Sequence, residues 1–249
     1  MSESEIIFGR NSIESLLQSG SRSVNKIFLA KGAKFDPKLK KIIELAKQNK
    51  VNVQEVPREK INAVANGNHQ GIVAFVAPIE YEDFDTLLEN LKSKDSNALL
   101  IILDGVEDPH NLGAIIRTAV CAGADGIIIP KRRSSQVNAT VEKTSAGAVE
   151  RIPIVQVNNL TQTIEKLKEH SFWVVGAESS GTEYYFDIDY SMNCALVMGG
   201  ENQGISPLVK KNCDYLVKIP MPGQFNSLNV SNAASILIYE IIRQKVKKS

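Results

Sequence analysis

From residue 98 onward the chain repeats one pattern: a short continuous apolar run, then a polar stretch with helical spacing. The runs are 98–103, 126–129, 154–157, 172–177, 194–198 and 215–219. Runs of this length, apolar at consecutive rather than alternate positions and broken only by Gln156 and Lys218, are expected to be strands buried on both faces. Helices are predicted over 112–122, 160–169 and 230–245. Strands alternating with helices define an α/β class with a parallel sheet covered on both sides.

The first 76 residues read as a smaller α/β unit. Asn11 or Ser12 can cap a short helix that places Ile13, Leu16 and Leu17 on one face. A strand at 26–30 precedes a helix at 37–48, with Leu39, Ile42, Ile43 and Ala46 at helical spacing between Lys38, Lys40, Lys41 and Lys47. An alternating strand at 51–56, a helix opened by Pro57 and an apolar run at 71–76 complete the unit. Residues 77–97 then turn acidic, with Glu80, Glu82, Asp83 and Asp85, before a polar helix. Apolar density falls there, so a linker at 77–97 is expected between a domain at 1–76 and one at 98–249.

The net charge of +1 conceals this organisation, because residues 1–76 carry +5 and residues 77–98 carry −4. A neutral total argues against coating nucleic acid by bulk charge and leaves room for a local basic face. Cys121, Cys194 and Cys213 are far apart, a spacing that suits neither a disulfide framework nor a zinc site. A reducing, cytoplasmic setting is expected, with no metal. The N-terminus lacks the pattern of a signal peptide, and no apolar run is long enough to span a bilayer.

Ligands of open α/β sheets gather at the carboxyl ends of strands, and three such ends stand out. The first, after Leu103, reads D-G-V-E-D-P-H-N-L-G-A-I-I-R and contains Asn111 and Arg117. Six residues apart on a helix, these two diverge; Asn111 serves equally as a helix cap. The second reads G-G-E-N-Q-G, from Gly199 to Gly204 around Glu201. It is neither a dinucleotide fingerprint nor a P-loop, and it suits equally a tight structural turn. The third reads I-P-M-P-G-Q-F-N-S-L-N-V-S-N-A from Ile219, with Ser227, Asn229 and Ser231 at a helix start. One cap needs fewer candidates than three, which favours a site.

Taken together, N-x5-R, G-x-E-x-x-G and I-P-M-x-G-x-x-x-S-L-N-V-S-x-A closely resemble the SpoU (TrmH-type) RNA ribose 2′-O-methyltransferases of the SPOUT superfamily. The resemblance spans about residues 98–245. The N-terminal part is similar to that family's ribosomal-protein-like substrate-binding domain, through Gly9-Arg10-Asn11 and His69-Gln70-Gly71. It implies S-adenosylmethionine as cofactor and a deep trefoil knot near the C-terminus, formed by loops 196–204, 217–222 and 225–230. Gly199, Gly200, Ile219 and Leu228 would then hold the cofactor. Asn111, Arg117, Glu201, Ser227 and Asn229 would form the catalytic set, in a homodimer. The two-domain arrangement is nearest to members that methylate a guanosine ribose in large-subunit ribosomal RNA. A transfer-RNA target and an inactive RNA-binding protein are the alternatives.

The resemblance assigns proton removal from the 2′-hydroxyl to Arg117. Guanidinium is a reluctant base, so Arg117 as base and Arg117 as an orienting cation both stand. RNA contacts are expected from Arg10, Asn11, Lys38, Lys41, His69 and Gln70, and from Lys131, Arg132 and Arg133 beside the catalytic sheet. Trp173, the only tryptophan, is expected in the core.

Overall fold

A computed structural model describes residues 4–65, 67–94, 97–201 and 203–248. The chain forms two compact units, residues 1–80 with 137–151 and residues 81–136 with 152–249.

The first unit runs β1 (Glu5–Phe8), α1 (Arg10–Ser19), β2 (Val24–Ala30), α2 (Pro37–Gln48), β3 (Val53–Val56), α3 (Arg58–Asn62) and β4 (Ile72–Val76). Its four strands form a mixed sheet in the order β1-β4-β2-β3. Ile13, Leu16, Leu39 and Ile42 pack on one face of it, and Phe8, Phe28, Ile61 and Val73 build the other core. Asp36 caps α2 by accepting from the Leu39 amide at 2.8 Å, and Pro37 opens the helix. α1 is capped by Gly9 at φ 94, not by Asn11 or Ser12, which lie inside its first turn.

The second unit opens with α4 (Phe84–Lys92), within the stretch expected as a linker. Its acids serve the fold: Asp83 caps α4 by accepting from the Asp85 and Thr86 amides at 3.0 Å, and Asp85 pairs with Lys166. Leu87 and Leu88 are buried against the core of the large sheet. There follow β5 (Leu99–Asp104), α5 (Pro109–Cys121) and β6 (Gly126–Pro130). After an excursion into the first unit, containing α6 (Ala139–Thr144) and a 3-10 turn over Ala148–Arg151, the chain returns. It continues as β7 (Ile154–Val157), α7 (Leu160–Glu169), β8 (Trp173–Ala177), β9 (Glu183–Tyr184), β10 (Cys194–Gly199), α8 (Pro207–Lys211), β11 (Tyr215–Lys218) and α9 (Val230–Lys248).

The seven strands order β7-β6-β5-β10-β8-β11-β9, with every pairing parallel. The fold is α/β. From β5 the chain winds outward through β6 to β7, and it returns on the other side through β8, β10 and β11. The β5/β10 pair is therefore the switch point, where such sheets bind ligands. Trp173 is not in the core: it starts β8, is 43% exposed, and stacks on Tyr215 at 5.6 Å. Among the described residues no helix is long and apolar enough to cross a membrane.

The excursion at 137–151 is fastened by buried polar groups. Ser15 Oγ donates to the Gly147 carbonyl at 2.7 Å, and a Cβ on Gly147 would lie 2.6 Å from that of Ser15. Arg22 pairs with Glu142 and Glu150, all three at most 4% exposed, and with Glu5 at 2.9 Å on the rim. Burial, and then the neighbouring Glu150, raise the Glu142 carboxyl above the usual carboxylate range. Burial alone would lower Arg22, and the attraction of Glu142, Glu150 and Glu5 outweighs it. A carboxyl raised on folding keeps its proton where the unfolded chain has lost it. Its contribution to stability is thus complete below the ordinary carboxylate range and lost as pH rises above it. Arg22→Met leaves two buried carboxyls without their cation, and removing one member of a buried pair typically costs about 3–5 kcal/mol. Urea unfolding is expected to show a loss of that size near pH 8 and a smaller one near pH 5, where protonation relieves the repulsion. Equal losses at both pH values would contradict this reading.

Candidate active site

The site grows from the carboxyl ends of β5 and β10, which are paired in register through Asp104 and Gly199. Beyond them the two backbones touch. A Cβ on Gly200 would stand 2.0 Å from the Gly105 carbonyl oxygen, and one on Gly199 would stand 2.1 Å from the Gly204 carbonyl carbon. The Gly200 amide donates to the Asp104 carbonyl at 2.9 Å, and the Gly204 amide closes the turn onto the Gly200 carbonyl at 2.9 Å. Asp104 also accepts the Ser206 amide on its carboxylate at 2.7 Å. The G-x-E-x-x-G turn is thus pinned at both ends to β5.

Asn111 is not the cap of α5. Asp108 has that role, accepting from the His110 amide at 2.8 Å, and Pro109 follows at the first helical position. The Asn111 side chain is left for other work, and it is buried. Its amide nitrogen donates to Glu201, and its oxygen accepts from Asn229 Nδ2 at 3.0 Å. Asn229 Oδ1 in turn accepts from the Ser231 amide at 2.9 Å and the Ser231 hydroxyl at 2.6 Å, which caps α9. A carboxylate only accepts hydrogen bonds, so Glu201 sets the direction of the whole chain. Asn111 must present its NH2 to Glu201, and Asn229 must present its NH2 to Asn111. Three distant segments meet here.

A cleft of about 1340 Å³ opens beside this chain. Its lining includes Gly199, Gly200, Glu201, Ile219, Ser227, Leu228 and Asn229, seven of the residues that the sequence motifs single out. Asn111 stands behind this wall, bonded to Glu201 and Asn229. Arg117 is elsewhere: it is exposed on α5, with no hydrogen bond or ion pair among the described residues. Glu178, Ser179 and Ser180, just beyond β8, also line the cleft and escaped the sequence reading. They follow a strand in the same way as the three motifs do, which is the signal that would have found them. Burial pushes the Cys194 and Cys213 thiols up to about 12, so neither is a ready nucleophile.

Arg132 and Arg133 line a second cavity of about 570 Å³, which also reaches Gly200 and Glu201; Lys131 is exposed and is not among its lining residues. In the first unit, Arg10, Asn11, Lys38 and Gln70 meet with Arg58 around a hollow of about 520 Å³. His69 does not join them. It is buried, accepts the Gly71 amide on Nδ1 at 3.0 Å and pairs with Asn62 at 2.8 Å; burial and then Arg58 lower its pKa. Lys41 is outside the hollow and pairs with Glu14 at 2.7 Å, a contact that holds the Glu14 carboxyl low.

Residues 98–239 match the SpoU rRNA Methylase family, and residues 6–82 match the RNA 2′-O ribose methyltransferase substrate-binding family. The chain belongs to the SpoU family of RNA methyltransferases. Among its relatives is a Staphylococcus haemolyticus protein assigned to the TrmH family of tRNA/rRNA methyltransferases, 46% identical over 98% of this chain and 97% of that one. An AdoMet-bound rRNA methyltransferase from Sinorhizobium meliloti is similar in structure, with a TM-score of 0.80 at 26% identity over 97% of this chain and 87% of that one. The SpoU methyltransferase AviRb from Streptomyces viridochromogenes, solved with AdoMet, shares the fold at a TM-score of 0.83 and 24% identity, over 98% of this chain and 92% of that one.

Gly200→Ala tests the backbone contact. Overpacking typically costs about 1–3 kcal/mol and sometimes more, and here the obstacle is backbone, which cannot rotate away. A clear fall in melting temperature is expected, together with loss of the Asn111–Glu201 contact. A melting temperature equal to that of the parent would rule out the tight approach.

Proposed function

We propose that the chain is a cytoplasmic, homodimeric enzyme that methylates a ribose 2′-hydroxyl of RNA, with S-adenosylmethionine as donor and a guanosine of large-subunit ribosomal RNA as target. The observation that carries this reading is the directed chain Glu201–Asn111–Asn229 at the wall of a cleft built on glycine backbone. The cleft suits the cofactor. Gly199 and Gly200 leave a surface without side chains, Ile219, Leu228, Pro220 and Met221 give apolar contact, and Glu178 and Glu201 supply carboxylates for a cationic ligand. When bound, the cofactor supplies a methyl group already activated by a sulfonium leaving group. The trefoil knot that the family resemblance implies, through loops 196–204, 217–222 and 225–230, belongs to the same reading.

The protein's own tasks are alignment and management of one proton. Holding reacting atoms in line can contribute on the order of 7–11 kcal/mol. Ser227 and Asn229 flank the cleft where the ribose must lie, and Glu201 fixes Asn111 and, through it, Asn229. Arg117 points away from the cleft of its own chain, as its helical offset from Asn111 requires. A second copy of the chain that brings its own Arg117 to this cleft would complete the set, which is the reason for the homodimer. There the Arg117 side chain either takes the 2′-hydroxyl proton as a neutral guanidine or, as the guanidinium cation, stabilises the forming alkoxide. The hollow of Arg10, Asn11, Lys38 and Gln70 docks the RNA, with the 131–133 loop near the catalytic cleft.

Because relatives are named for tRNA as well as rRNA, transfer RNA is the second reading. Unmodified large-subunit RNA and transfer RNA, each incubated with methyl-labelled cofactor, separate the two. Label is expected on a guanosine ribose of the ribosomal RNA, and label on transfer RNA alone would overturn that target. Arg117→Ala is expected to lower kcat by about 10²-fold or more, while calorimetry shows cofactor affinity within about twofold of the parent. Unchanged turnover would remove Arg117 from the mechanism.

A further inference from the structure

The turn at 199–204 has a second side. The cavity of about 570 Å³ beyond it shares Gly200, Glu201, Gln203 and Gly204 with the large cleft. Its size falls within the range of about 300–1000 Å³ typical of small-ligand sites. Neither the Arg132 nor the Arg133 guanidinium has an ion-pair or hydrogen-bond partner among the described residues, although both line this cavity.

The loop that carries them is held in place. Arg133 sits at φ 56, a left-handed conformation that a side chain of its kind seldom adopts. Ser134 Oγ donates to the Pro130 carbonyl at 2.8 Å, and the Ser135 amide donates to the Val106 carbonyl at 2.8 Å. Backbone held in a sparsely populated region is a pointer to function. The acids around the cavity do not cancel the arginines by pairing with them. Asp104 is taken by the Ser206 amide and Glu201 by Asn111, while Glu107 stands exposed. The Asn159 side chain is occupied in capping α7.

Resting on the methyltransferase reading, we propose that this second cavity is a nucleotide subsite for the substrate RNA. Arg132 and Arg133 hold a backbone phosphate, and the bound ribose-phosphate abuts Glu201 at the rim shared with the large cleft. Forked guanidinium donors match phosphate oxygens. The two ligands then reach the same turn from its two cavities, and Glu201, which orients Asn111, touches both.

Steady-state kinetics with unmodified ribosomal RNA and labelled cofactor test this in the full chain. The variants are Arg132→Ala and Arg133→Asn, the latter because asparagine tolerates positive φ. The control is Lys211→Ala, which removes an exposed charge outside both cavities. Each arginine variant is expected to raise KM for RNA about tenfold, make its salt dependence shallower by about 1 on a log–log scale, and leave cofactor affinity by calorimetry unchanged. The control should stay within about twofold of the parent. Unchanged KM in both arginine variants overturns the subsite, as does an equal effect in Lys211→Ala, which would mean bulk charge. A parallel loss of cofactor affinity overturns it too, by giving the cavity to the cofactor. Parent protein that binds cofactor yet methylates neither RNA overturns the underlying reading instead.

Discussion

Everything in the catalytic unit turns on two stretches of backbone that touch without side chains between them. Gly199 and Gly200 lie against Gly204 and Gly105, with no room for a single methyl group. Asp104 then holds the turn with both of its acceptors, its carbonyl on the Gly200 amide and its carboxylate on the Ser206 amide. This contact sits at the switch point of the sheet, where β5 and β10 diverge into separate halves. It carries Glu201 to within hydrogen-bonding reach of the first turn of α5, and through Asn111 to the start of α9. Segments about 100 residues apart are joined by what glycine lacks.

The identity of Glu201 matters as much as its position. A carboxylate accepts only, so both amides downstream have one orientation available to them. A glutamine would fit the same space, yet it could present either oxygen or nitrogen, and the Asn111–Asn229 pair could then reverse. In that reversal the Ser231 amide would lose its acceptor, Asn229 Oδ1, and α9 its cap. The carboxylate thus supplies direction as well as attraction, and preorganised direction is what a site needs when its task is alignment.

The sheet was legible because its strands are short, almost continuously apolar runs between helical stretches, the pattern of a sheet covered on both faces. All six runs form strands, with ends shifted by one residue at most. The strand-end motifs were legible because Gly, Asn and Ser have no reason to concentrate there unless backbone or ligand demands them. The divergence of Asn111 and Arg117 followed from six helical steps. Other features carried no signal of that kind. The excursion at 137–151 is fastened by Ser15, Arg22, Glu142 and Glu150, all residue types that in sequence resemble surface. The acids at 82–85 read as a solvated linker, although Asp83 caps a helix whose Leu87 and Leu88 are buried. His69 was expected among the RNA contacts, whereas its ring is buried and accepts the Gly71 amide, a contact with no sequence pattern.

Charge shows the same gap between counting and placement. The +5 of residues 1–76 suggests a basic surface, yet much of that charge is already engaged. Arg22 is buried among carboxylates, Arg10 pairs with Asp36, and Lys38 and Lys41 share Glu14. Lys26 and Lys60 lie over the Phe28 ring at 5.2 and 4.8 Å, cation–π contacts that hold both ammonium groups against the unit. The pairings with Glu5, Glu14 and Asp36 are already counted in the net of +5, which sets the field at long range; what pairing changes is how freely each cation can make a close contact. At close range the cations gather in two places: a hollow with Arg10, Asn11, Lys38 and Gln70 in one unit, where Arg10 and Lys38 also pair with Asp36 and Glu14, and, beside the 199–204 turn in the other, Arg132 and Arg133, unpaired among the described residues. On the proposed reading, RNA is selected by where a few phosphates and bases can be held at once, by its shape more than by the quantity of charge.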